Sequence, residues 1–312
     1  MFRYIVRRLL QAIPVFFGAT FILFVMLFIL PGDPSYILGG ERSTDPVVRA
    51  ILREKWHLDE PIVVQYGYYM RDLVSGDLGT SFRLGRSVNS VIATHLPASI
   101  KLAFTAIAVE VIFGIIAGVI SAVKRYSFLD TLTTIATSVL VAIPVFWLGL
   151  MLQIVFGLRL GDTPFGLPIS GMTEGWRSYV LPSITLASVF TAITARLTRT
   201  TMLEVMRQDF IRTATAKGLP QRTIIYKHGL RNALIPVVTN VGLDFGGLVG
   251  GAILTETVFA WPGIGRQVFI ASTNNDNPVI IGTTIIFLLA FIIVNLVVDI
   301  SYAFLDPRIR YE

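Results

Sequence analysis

Six runs of apolar residues, each long enough to cross a bilayer and almost free of charge, leave this chain few choices of fold. They lie near Ile13–Leu30, Ile100–Ala122, Leu132–Phe156, Leu181–Leu203, Leu234–Val258 and Val279–Phe304. About 20 apolar residues in a helix cross the roughly 30 Å of hydrocarbon in a membrane. Inside that hydrocarbon the backbone can satisfy its own hydrogen bonds only as a helix or a closed barrel. Composition points the same way, with 54% of the 312 residues hydrophobic and 15% charged, against about 25% charged in an average soluble domain. The expected class is therefore an all-α integral membrane protein with six transmembrane helices. Arg3, Arg7 and Arg8 before the first run suggest a secretory signal, but the run is long and ends in Pro31-Gly32-Asp33-Pro34 without a small-residue cleavage site. A retained first span is the expectation.

Six spans put both termini on one side. Arg3, Arg7, Arg8, Lys124, Arg125, Arg196, Arg199, Arg207, Arg212, Lys217, Arg222, Lys227, Arg231, Arg308 and Arg310 then share that side, while the short opposite loops hold only Arg159, Arg177 and Arg266. By the positive-inside rule the shared side is the cytoplasm. The net charge of +6 thus has a topological origin. No basic segment is interleaved with aromatics in the way a nucleic-acid partner requires. The absence of cysteine excludes disulfides, thiol catalysis and thiolate metal sites. His57, His95 and His228 are scattered and form no HExxH pattern, so neither metal nor cofactor is expected in this chain.

Two connections are too long to be mere loops. Residues 31–99 fall outside the cell membrane and carry Val47, Val48, Ile51 and Leu52 at helical spacing, followed by a cluster of Tyr66, Tyr68, Tyr69 and Met70. A small helical cap inserted between spans 1 and 2 fits this pattern. Residues 204–231 fall in the cytoplasm. No internal repeat appears, and residues 1–312 read as a single transmembrane domain.

Within the cytoplasmic loop, Glu204 to Gly218 reads as a short helix stopped by Gly218, with a second helical stretch over Thr223–Leu230. Arg212 and Lys217 could rest it on lipid headgroups. Alternatively Ala214 and Ala216 leave it thin enough for a groove on a soluble partner, with the basic Arg212 and Lys217 at the rim. In the fifth run, Gly242, Gly246 and Gly250 form one small-residue series, with Gly247 and Gly251 forming another. Such series admit a close neighbouring backbone, either within this chain or beside a translocation pathway. Asp244 in the same run and Glu110 in the second are costly in hydrocarbon. Each either meets a substrate amine or is buried against Arg196 or polar helix neighbours, while Arg196 and Arg199 are expected to reach the headgroups. Glu256, Trp261, Pro262 and Gly263 form a turn-rich external loop, readable as an interfacial aromatic anchor or as a gate and docking surface.

Several segments together resemble a known family. Asp209-Phe-Ile-Arg-Thr-Ala-Thr-Ala-Lys-Gly218 with Leu230-Arg-Asn-Ala-Leu-Ile-Pro236 is similar to the coupling loop of binding-protein-dependent ABC importer permeases of the dipeptide/oligopeptide branch. Pro31-Gly-Asp-Pro34, Gly76-Asp-Leu-Gly-Thr-Ser81, Thr255-Glu-Thr-Val-Phe-Ala-Trp-Pro-Gly-Ile-Gly265 and Leu305-Asp-Pro-Arg-Ile-Arg-Tyr311 extend the likeness over nearly the whole chain. The resemblance implies a type I importer permease in a bacterial cytoplasmic membrane, paired with a second homologous permease. It further implies two ATPase subunits that hold ATP and Mg, an extracytoplasmic substrate-binding protein, and peptides, nickel, glutathione or haem as cargo. The helix around Asp209–Gly218 would sit in a cleft of the ATPase. No GxxxxGK[ST] sequence is present to cradle phosphates here. An ion-coupled secondary transporter would want an acidic relay and an inverted repeat, and a membrane enzyme would want a catalytic constellation; the sequence shows neither.

Overall fold

The computed structural model describes residues 2–28, 35, 45–55, 57–81 and 83–305. The motifs at 31–34 and 306–311 lie outside the described residues. Helices follow in the order α1 (Phe2–Phe28), α2 (Pro46–Lys55), α3 (Ile62–Val74), α4 (Val88–Val123), α5 (Phe128–Ala142), α6 (Val145–Leu152), α7 (Arg177–Val205), α8 (Asp209–Ala216), α9 (Arg231–Val258), α10 (Ile264–Thr273) and α11 (Asn277–Leu305). Wider π-helical turns extend α6 through Gln153–Arg159 and lead into α9 through Ile224–Leu230. Val6–Met26 of α1, all of α4 and α7, and Asn277–Val298 of α11 are each long and apolar enough to cross a membrane. Two bent helix pairs raise the number of candidate spans to six.

The first bent pair corrects the sequence expectation of one straight span over Leu132–Phe156. Helix α5 and the extended α6 meet at 107°. Ile143 stands at φ −80° and ψ 128° just ahead of Pro144, in the extended conformation that a proline ring favours for the residue before it. The second pair, Gln221–Leu248 and Ala252–Val258, bends by 58°. Span 2 also differs, since its helix begins at Val88 rather than Ile100 and runs for 36 residues. At 1.5 Å per residue that is about 54 Å, more than the hydrocarbon needs, and its first 12 residues belong to the stretch 31–99 that the sequence reading assigned to the cap.

Contacts divide the chain into two compact units. One comprises residues 1–99 and 262–296. Its first core joins Phe24 of α1, Leu52 of α2, Tyr69 and Met70 of α3, and Ile281 and Ile285 of α11. The Tyr66 hydroxyl donates to the Phe17 carbonyl at 3.0 Å and its ring meets Phe21 edge-on at 5.2 Å. The cap helices therefore pack along the second half of α1. Of the two apolar pairs on α2, Val48 and Leu52 turn inward while Val47 and Ile51 are exposed. A second core gathers Val88, Val91, Ile92, Ile264, Ala271 and Val279. Beside it the buried Ser81 hydroxyl donates to the buried Asp276 carboxylate.

The other unit comprises residues 100–261 and 297–312 and is organised around α7. This helix packs on α5, α6 and α9, and it approaches α4 most closely at Gly114 and Gly118. A β-carbon on Gly118 would stand 2.5 Å from Thr198 Cβ and 2.6 Å from the Ala195 carbonyl oxygen. One on Gly114 would stand 2.8 Å from Thr194 Cγ2. Gly118→Ala gains up to about 1 kcal/mol of helix propensity but meets backbone, and overpacking costs about 1–3 kcal/mol. The expected outcome is a lower thermal unfolding midpoint in detergent. Gly67→Ala on α3, with nothing within 4 Å of the added carbon, should raise the midpoint or leave it unchanged. Equal behaviour of the two variants would argue against close packing at Gly118.

Candidate functional site

Helix α8 and its surroundings form the first part of the site. Its ends are fixed by local chemistry. Gln208 is extended ahead of it, Asp209 places a carboxylate in its first turn, where the helix dipole favours negative charge, and Gly218 ends it at φ +73°. The Leu219 N–H reaches the Ala214 carbonyl at 3.3 Å and the Gly218 N–H reaches the Thr215 carbonyl at 2.9 Å, the two bonds of a Schellman stop. The glycine is there for its backbone angle, since a side chain on it would meet nothing within 4 Å. The helix is separate from α7, which ends at Val205, so Glu204–Gly218 is not one helix.

One face of α8 is committed to its own chain. Ile211 and Ala214 are buried against Ile224, with Met206 alongside. This corrects the expectation for Ala214, whose small size serves packing within the chain and not a partner's groove. Asp209, Arg212, Thr213, Ala216, Lys217 and Gly218 form the exposed face. Asp209 and Arg212 lie 3.4 Å apart with both side chains largely in solvent, a pairing that contributes little to stability and leaves both charges available.

The second part lies inside the candidate spans, between α4 and α9. Glu110 of α4 is fully buried and accepts a hydrogen bond from Thr194 at 2.8 Å. Asp244 of α9 accepts one from Asn240 at 2.6 Å. The two carboxyl groups, which the sequence separates by more than three helices, face each other directly. Among the described residues no N–H or O–H donor reaches Glu110 Oε2. Of the partners considered for Asp244, the polar helix neighbour Asn240 is the one that bonds it, while Arg196 is exposed on α7. Arg199 was expected at the headgroups as well, but it turns inward to the buried Asp130 of α5 with N–O distances of 2.7 and 2.9 Å. Neither Asp130 nor Ser121 beside it stood out in sequence. The signal available was a Ser-x-x-Asp cap opening the third apolar run.

Two of the α9 glycines, Gly242 and Gly247, have side-chain neighbours within the chain. A β-carbon on Gly242 would stand 2.6 Å from Val298 Cγ2, and one on Gly247 would stand 3.3 Å from the Phe190 ring. Gly246 is half-buried, and the surroundings of Gly250 and Gly251 lie outside what is described.

At the end of α9 the structure turns Trp261 inward, which corrects its reading as an interfacial aromatic anchor. Trp261 and Glu256 are fully buried. The Trp261 N–H donates to the Glu256 carbonyl at 2.8 Å, and its ring meets Tyr179 edge-on at 4.8 Å. The Gly171 N–H reaches the Phe259 carbonyl at 2.8 Å, and the Gln153 amide reaches the carbonyls of Ile169 and Val258, so residues 169–171 are stitched to this turn. Pro262 is half-buried and Gly263, itself buried, precedes α10 in extended conformation. The loop is an internal fastening, and the aromatic side chain that anchors it does so from inside the protein.

Known proteins can now be set beside this geometry. Residues 111–311 match the family described as binding-protein-dependent transport system inner membrane component, and residues 1–103 match the N-terminal model of the same systems. A dipeptide transport system permease protein, DppB, of Alkalihalophilus pseudofirmus is 44% identical over a 334-residue alignment covering all of both chains. The glutathione transport system permease protein GsiC of Escherichia coli is 41% identical over 313 residues, again covering both completely. Among solved structures, the MetNI methionine ABC transporter in an inward-facing conformation aligns with a TM-score of 0.58 at 16% identity, covering 69% of this chain and 96% of that one. An amino acid ABC transporter aligns with a TM-score of 0.52 at 15% identity, covering 69% and 94%. The fold is thus that of type I importer permeases. On the strength of the family match and the full-length relatives, the chain belongs to the inner-membrane permease components of binding-protein-dependent transport systems.

Proposed function

We propose that this chain is one of two permease subunits of an ATP-driven importer of short peptides, and that α8 is the element through which the ATPase moves it. The observation that carries the proposal is the division of α8 into two faces. Ile211 and Ala214 hold the helix to the body of the chain, while Arg212, Thr213, Ala216 and Lys217 present a small basic surface ending at the glycine stop. Such a helix is rigidly attached on one side and free to be gripped on the other. Two ATPase subunits supply ATP and Mg chemistry, and this chain transmits their closure. The names of the full-length relatives, one a dipeptide and the other a glutathione permease, support a short peptide as cargo. A separate binding protein delivers it on the outer face, where the cap and the turn around Pro262 and Gly263 are nearest. Both termini lie in the cytoplasm, as the distribution of Lys and Arg requires.

Asp244, Glu110 and the glycine face of α9 are assigned to the pathway shared with the second permease, a heterodimer. Facing carboxyl groups in a low-dielectric interior repel unless a positive charge or a proton joins them, and the amino group of a peptide supplies the former. The test concerns α8. In proteoliposomes containing the whole transporter, Arg212→Glu and Gly218→Asp should leave the complex assembled and hydrolysing ATP, with uptake per ATP reduced about tenfold. Since a side chain at Gly218 meets nothing in this chain, a loss there reports on the backbone turn or the partner. Wild-type ATP-dependent uptake by both variants would sink the proposal.

A further inference from the structure

Arg199 and Asp130 meet as fork and carboxylate, with Nε 2.7 Å from Oδ1 and Nη2 2.9 Å from Oδ2. This is the strong, directional form of a charge-assisted contact. The Asp130 side chain is only 6% exposed and that of Arg199 29%. The carboxylate gathers further donors, the Ser121 hydroxyl near the end of α4 to Oδ1 and the Tyr126 N–H to Oδ2 at 2.9 Å. Tyr126 itself stands at φ +63°, a left-handed conformation that costs a non-glycine residue about 1–2 kcal/mol and is held in place by this bond. Ser127 caps α5 by accepting from the Asp130 N–H. One buried carboxylate therefore ties the end of α4, the turn after it and the start of α5 to α7.

Packing runs without a gap from this knot to α8. Just beyond Arg199, Met202 and Val205 of α7 are buried with Val119 and Ala122 of α4 and with Ile225 and Ala233. Met206 contributes to that cluster and also to the one that receives Ile211 and Ala214. Apolar contacts of this kind keep helices close but let them slide by small amounts. A forked ion pair cannot slide without stranding a buried charge, which costs several kcal/mol.

We infer that the Asp130–Arg199 pair is the fixed link that makes α8, α7, the end of α4 and the start of α5 move as one body when the ATPase closes. Both are positioning residues for transport, and the inference rests on the assignment of α8 given above. The test uses the complete reconstituted transporter with the neutral double variant Asp130→Asn/Arg199→Gln, which keeps two hydrogen-bonding side chains and strands no charge. The expected result is a normally assembled complex with near-normal ATP hydrolysis and about tenfold less substrate moved per ATP, while Asp130→Glu stays within about twofold of wild type. A wild-type ratio in the double variant overturns the link, because a merely structural pair predicts that ratio once assembly is intact.

A second measurement needs no change to the pair. The chain contains no cysteine, so spin labels at Thr131→Cys and Gln208→Cys, both exposed, report the distance from the start of α5 to the start of α8. That distance is expected to be the same with and without trapped nucleotide, and a nucleotide-dependent change overturns the link. Arg212→Glu is measured alongside. If it uncouples uptake while the neutral pair does not, the link alone falls; if it leaves uptake per ATP unchanged, the assignment of α8 and the link fall together.

Discussion

Helix α7 is the least apolar of the four unbroken spanning helices and also the most enclosed, with a mean hydropathy of 1.5 and 56% of its spanning window buried. Those two properties depend on each other. A helix carrying this many hydroxyls is poorly placed against lipid, but between other helices several of them are satisfied within the protein. Thr185, Ser188 and Thr201 donate back to carbonyls of their own helix, and Ser183 meets Thr105 of α4 at 2.7 Å. Where Gly114 and Gly118 of α4 meet this helix, the absence of a side chain on the glycines lets α4 lie close to its backbone. Without a strong hydrophobic drive between helices in lipid, such close approach is what holds a bundle together. Helices α5, α6 and α9 then assemble on the remaining sides of α7.

The number and class of helices were legible from the apolar runs because hydrocarbon leaves the backbone no alternative. Where a run breaks was not. Pro144 ends α5, yet Pro97, Pro182 and Pro236 sit inside continuous helices, so a proline alone does not mark the break. Its outcome depends on whether neighbours can absorb the lost hydrogen bond. Glycine spacing misled in a similar way. The series on α9 was conspicuous, but Gly114 and Gly118 are the ones that meet a neighbouring helix's backbone, because spacing shows that a groove exists and not which helix lies in it. On α8 the amphipathic division and the glycine stop were readable from local rules. The inward turn of Ala214 was not, since it depends on Ile224 and Met206 arriving from outside the helix. Trp261 lost its expected place at the membrane surface for the same reason, as Tyr179 and the Glu256 carbonyl give it a better-packed position inside.

Charge inside the bundle is handled in two opposite ways, and α7 takes part in both. Near the end of α7 that leads to α8, Asp130 is surrounded by donors from three segments, one of them carrying a full positive charge. An acid so completely neutralised stabilises one arrangement of its neighbours and resists any other. Between α4 and α9, Glu110 receives a single hydroxyl from Thr194 and faces a second acid, held by Asn240. That arrangement is incomplete as it stands, and like charges at short range in a low dielectric make it costly. A protein that only needed stability would gain by replacing either acid with an apolar residue. The difference between the two sites therefore maps onto two mechanical needs. Under the function proposed above, the end of the bundle next to α8 is the part that holds its shape while force passes through it, and the middle is the part that accepts a change in what lies between α4 and α9.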